Sequence, residues 1–168
     1  MAADLVVTAD GRCSFKDRTF ACVLGAGGIV VDKKEGDGGT PAGRWPLRRL
    51  LFRPDRGAPP QGILPLAAIA PDDGWCDDAG DPAYNHPVKL PFDASHEVMW
   101  RADHLYDLVV VVGHNDSPPV AGAGSAIFLH LARPDRGPTA GCVAFSRADL
   151  EAILVGLEAD SHLLVIAP

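Results

Sequence analysis

Apolar residues fall in short runs along the chain. LVVT (5–8), FACVL (20–24), GIVV (28–31), LVVVV (108–112), SAIFLHL (125–131), CVAF (142–145) and LLVIA (163–167) are each about strand length. They are rich in β-branched residues and bounded by Gly, Pro or Asp, which predicts β-strands. One segment has the other period. In RADLEAILVGL, after Ser146, Leu150, Ile153, Leu154 and Leu157 recur at helical spacing. Ser146 is an N-cap residue, and Asp149 at the third helical position makes a capping-box variant. The expected class is mainly β, a sandwich or barrel-like sheet pair with one clear C-terminal helix.

Between about 53 and 104 the pattern dissolves. RPDRGAPPQG and PDDGWCDDAGDPAYNHPVKLP are rich in Pro, Gly and Asp. Trp75, Tyr84 and Trp100 lie in this stretch, and disordered segments are poor in aromatics. The expectation is one domain over 1–168 with a long, loop-rich insertion that forms an ordered cover or lid.

Composition narrows the function. A chain of 168 residues with 47% hydrophobic content supports its own core. Fifteen basic against 22 acidic residues give a formal charge of -7, which argues against a nucleic-acid partner. No run approaches the ~18 apolar residues of a membrane span. MAADLVVTADGRC has no basic region followed by an apolar core, so the expected location is cytoplasmic, or periplasmic if a leader has been removed.

Most familiar motifs fail. LGAGGIVV has three early glycines, but the residues that follow read as a strand, whereas a dinucleotide fingerprint needs a helix N-terminus there. GDGGTPAG (36–43) lacks the ending of a phosphate loop and reads as a tight turn. Histidines at 86, 96, 104, 114, 130 and 162 have no metal-ligand spacing, and the cysteines at 13, 22, 76 and 142 form no CxxC. No metal site and no cofactor is expected. A hairpin turn centred on Asp17-Arg18 sets Phe15 opposite Phe20 and Cys13 opposite Cys22, with both thiols read as reduced.

One segment carries chemistry: GSAIFLHLARPDRGPTAGCVAFSRADL. His130 ends an apolar strand and Cys142 begins the next. Neighbouring strands bring thiol and imidazole together, and an imidazole in hydrogen-bond reach can hold the thiol as thiolate–imidazolium. Gly141 allows close backbone approach, so the N–H groups of Gly141 and Cys142 can face an oxyanion.

His130, Thr139, Gly141 and Cys142, followed by a strand and helix, resemble the catalytic signature of the L,D-transpeptidase family, the YkuD-type catalytic domain. GDGGTPAGRWPL resembles the same family's Gly-Asp-x-x-Thr-Pro-x-Gly turn. The resemblance implies a mainly β fold in which Cys142 attacks the amide between the diamino acid and D-Ala of a peptidoglycan stem, with His130 as base and acid. The expected partners are stem peptides or muropeptides. The acyl group then passes to water, giving an L,D-carboxypeptidase that trims muropeptides in recycling, or to an amine, giving an L,D-transpeptidase. A non-catalytic peptidoglycan-fragment binder is the reading from another class.

Three positions depart from the family pattern. Ala144 stands where many members have Arg or Asn, Ala140 where many have His, and Leu131 where many have Gly. Arg133, Arg136 and Arg147 are candidate replacements for the lost cation, since guanidinium suits carboxylate. Thr139, Arg133, Arg136, His114 and Asn115 are the expected substrate contacts, the last two because they follow the LVVVVG strand.

Overall fold

The computed structural model describes residues 1–168. The strands are β1 (Leu5–Thr8), β2 (Arg12–Phe15), β3 (Arg18–Ala21), β4 (Ile29–Val30), β5 (Thr40–Pro41), β6 (Gly43–Phe52) and β7 (Leu66–Ala68). They continue with β8 (Asp73–Cys76), β9 (Pro87–Lys89), β10 (His96–Val98), β11 (Leu108–Val112), β12 (Phe128–Leu131), β13 (Val143–Phe145) and β14 (His162–Val165). The single helix, α1, spans Arg147–Gly156 between β13 and β14.

The main sheet runs β13-β12-β11-β6-β14-β1-β2-β3, with β7 beside β6. Its two ends meet. Val23, just past β3, exchanges backbone hydrogen bonds of 2.8 and 2.9 Å with Ala144 of β13. The sheet is therefore nearly closed and barrel-like, with no long free edge.

Every strand read from the apolar runs has a counterpart. β6, the longest, escapes that reading. Its sequence GRWPLRRLLF holds Gly43, Pro46 and an Arg pair, which obscure any alternation. It nonetheless spans the sheet, pairing β14 through residues 43–46 and β11 through residues 47–52.

The helix begins as expected. The Ser146 Oγ accepts from the Asp149 N–H at 3.2 Å. Such a cap contributes ~1 kcal/mol. Leu150, Ile153, Leu154 and Leu157 are buried with Leu129, Leu131, Val143 and Phe145 in one core.

β12 and β13 are parallel, with His130 level with Ala144. Side chains alternate across a sheet. Leu129, Leu131, Val143 and Phe145 face the helix-bearing core, so Phe128, His130, Cys142 and Ala144 face the other way. A second core covers that outer face, where Phe128, Val109 and Cys142 pack with Trp75, Met99, Leu105 and Tyr106. The stretch 53–104 is thus more ordered than its composition suggests. It contributes β7 and a small antiparallel sheet, β10-β8-β9. Trp75 and Tyr84 are buried in it.

The first hairpin corrects the expected register. Cys13 pairs with Phe20 and Phe15 with Arg18. Lys16 takes up a φ of 55°, which moves the turn one residue earlier, to Lys16-Asp17. Cys13 and Cys22 are free and buried, two residues out of register on the same face.

Candidate active site

A cavity of about 370 Å³ opens over the outer face of β12 and β13. Cys142, His130, Thr139 and Arg133 line it. So do Glu97, Arg101, Leu105 and Tyr106 from the covering stretch, and Lys33 and Glu35 from the turn before β5.

Strand geometry places the two central side chains. Cys142 is level with Phe128 and His130 with Ala144, so both emerge on one face of adjacent strands. The His130 Nδ1 lies 2.8 Å from the Leu131 carbonyl oxygen. A carbonyl only accepts, so Nδ1 carries the proton and Nε2 is left as the acceptor. The ring is held on another side by Tyr106, edge-on at 5.4 Å. Burial pushes the imidazole down to about 4, so it is neutral at pH 7.

The thiol is engaged elsewhere. Its Sγ donates to the Ala126 carbonyl at 3.2 Å and accepts from the Phe128 N–H at 3.4 Å. Burial pushes it up to about 12, and the Glu97 charge adds to that shift. The expected thiolate–imidazolium pair is therefore not the resting state. Desolvation favours thiol and imidazole as neutral groups, and each has backbone partners in place of a bond to the other.

Ala126 is itself held in place. It adopts a φ of 53°, uncommon without glycine. Asn85 sits beneath it. The Asn85 Oδ1 accepts from Ala126 N–H and from Trp75 Nε1, both at 3.0 Å. Its Nδ2 donates to the carbonyls of His114 at 3.1 Å and Asn115 at 2.7 Å.

The two glycine-rich motifs pack against the turn that carries Cys142. Thr40, fully buried, accepts the Gly25 N–H at 2.9 Å. Gly25 bridges to Thr139, whose N–H donates to Leu24 and whose carbonyl accepts from Ala26. A Cβ on Gly25 would lie 2.1 Å from the Gly38 carbonyl, and one on Gly141 would lie 2.8 Å from that of Gly39. The backbones meet too closely for any side chain. Thr139 then closes the turn, donating from Oγ1 to the Cys142 carbonyl at 2.7 Å and accepting from the Gly141 N–H at 3.1 Å.

That last bond corrects the expected oxyanion site. The Gly141 N–H is already used, which leaves the Cys142 N–H as the backbone donor beside the thiol. Three expected substrate contacts also fall elsewhere. Arg136 is exposed on the 133–136 turn and does not line the cavity. His114 is buried against Trp45, edge-on at 4.7 Å. Asn115 ties the 115–124 loop, bonding to Val120 and Gly124. Both follow β11, and neither side chain lines the cavity, an outcome that a strand pattern does not encode. Arg147 pairs with Glu151 and Asp107 on the surface. Glu97, Arg101 and Tyr106 escaped the sequence reading. The aromatic-rich WRADHLY stretch (100–106) was the only signal for Arg101 and Tyr106, and Glu97 had none.

The model of the L,D-transpeptidase catalytic domain (YkuD) matches residues 3–158. The chain belongs to this family. We found no match among curated proteins or among solved structures. L,D-transpeptidase catalytic domains act on peptidoglycan peptides, and this chain is an enzyme of that family. Its nearly closed β-sheet and single C-terminal helix agree with the family fold. No group of three or more His, Cys, Asp or Glu side chains is set to hold a metal ion, and no helix is long and apolar enough to cross a membrane.

Proposed function

We propose that this L,D-transpeptidase-family chain is a cysteine acyl-enzyme that cleaves the diamino acid–D-Ala amide of tetrapeptide stems, with water as the preferred acceptor. The observation that carries the reading is the emergence of Cys142 and His130 on one face of parallel strands into one cavity.

The reaction starts from neutral partners. His130 Nε2 takes the thiol proton as Sγ attacks the scissile carbonyl, so no free thiolate need accumulate. The Cys142 N–H stabilises the oxyanion that forms. His130 returns the proton to the amine as the C–N bond breaks and D-Ala leaves. Water then attacks the thioester, giving its proton to His130, and the tripeptide acid departs as Sγ is reprotonated.

Arg133, exposed at the rim and without an acidic partner, is placed to meet a stem carboxylate, and Thr139 shapes the turn beneath the substrate. Water is favoured as acceptor because Cys142 is only 6% exposed under the 97–106 segment, which restricts approach of a second peptide. Such an enzyme fits the trimming of muropeptides.

The test is incubation of wild type and Cys142→Ala with a disaccharide tetrapeptide, following D-Ala release by mass spectrometry. Release by wild type alone supports the reading, and release by both sinks it. Added D-amino acid that enters the product in excess of hydrolysis would name an amine as the acceptor. Ligand binding with an inert Cys142 would favour a non-catalytic binder.

A further inference from the structure

The cavity above Cys142 is unevenly charged. Arg101 is held by Asp103 through bonds of 2.8 and 2.6 Å, and Lys33 is paired with Asp37. Glu97 has no cation in an ion pair. Its Oε2 accepts from the Tyr106 hydroxyl at 2.5 Å, and its Oε1 has no protein donor.

Glu97 also touches the reacting groups through one intermediary. Its partner Tyr106 presents its ring edge to His130. The other charged groups around Glu97 are Asp77, Glu35 and Arg101, two of them of like sign and the third committed to Asp103. A half-buried carboxylate with a free oxygen and no cation paired to it is a site for a compact cation that can also donate hydrogen bonds.

We propose that Glu97 is a specificity-determining residue that takes the side-chain ammonium of the acyl donor's third residue. The inference rests on the acyl-enzyme reading above.

Two tetrapeptides decide the matter, one with diaminopimelate at position three and one with 2-aminopimelate, which lacks only the distal amine. D-Ala release is measured for wild type and Glu97→Gln. Wild type is expected to favour the diamino peptide at least tenfold in kcat/KM, and Glu97→Gln to bring the two near parity. Tyr106→Phe, which removes the donor and keeps the carboxylate, is expected to retain the preference. Equal turnover of the two peptides by wild type, or a preference that survives Glu97→Gln, overturns the subsite and leaves the acyl-enzyme reading standing. Turnover of neither peptide by wild type overturns both readings. The wild-type comparison needs no variant, so it decides even if Glu97→Gln does not fold.

Discussion

The Cys142 thiol donates to the Ala126 carbonyl at 3.2 Å and makes no bond to His130. The resting thiol is thus parked on a backbone oxygen whose own residue is held in a left-handed conformation by Asn85.

Asn85→Ala is expected to disturb both the fold and the thiol. It strips partners from Trp75, Ala126, His114 and Asn115 at once, each a loss of about 1–3 kcal/mol where the orphaned group stays buried. Urea unfolding is expected to show a loss of at least about 2 kcal/mol. A shift in the pH profile of Cys142 alkylation would separate positioning of Ala126 from simple destabilisation.

His130→Ala is expected to lower kcat by about 10²- to 10⁴-fold, the usual range for a positioned acid–base group. His130→Ala with wild-type turnover would remove His130 from the reaction. D-Ala release under saturating tetrapeptide reads the difference.

Stability is expected to fall as pH is lowered from about 6.5 toward about 4. Burial depresses both His114 and His130 to about 4, so the unfolded chain binds protons in that window and the folded chain does not. Each unit of depression corresponds to about 1.4 kcal/mol, present above the unfolded value and lost as pH falls. Denaturant midpoints at pH 7 and pH 5 check the sign. A midpoint that rises on acidification contradicts it.

Gly141→Ala is expected to cost more than about 2 kcal/mol and to abolish turnover. The φ of 138° and the Gly39 carbonyl both exclude a side chain there. Gly28→Ala, where the added methyl meets nothing, bears only the backbone strain and is expected to keep the cavity intact. Comparing their unfolding curves separates close packing from conformation.

Local chemistry made much of the fold legible. Ser146 announced α1, and LVVVV announced β11, because capping and burial on both faces leave direct marks in sequence. Gly43–Phe52 left no such mark, since its partners on either side change midway and Pro46 breaks the pattern. Cys142 and His130 were legible because two strands read from apolar runs had to be neighbours. His114, Asn115 and Arg136 were misplaced, since the direction in which a loop leaves its strand depends on distant contacts. Glu97 and Tyr106 belong to a stretch whose order comes from packing on the outer face of β11 and β12, which no local periodicity records.

The Val23–Ala144 bridge has a bearing beyond topology. It is the sheet's seam, closed by two hydrogen bonds and lying two residues from Cys142. Breathing of the barrel at that seam would unzip the strand that carries Cys142 before disturbing the helix-lined interior. Amide exchange at Val23 and Ala144 is therefore a clock for how often the Cys142 thiol is laid open to solvent and to oxidants.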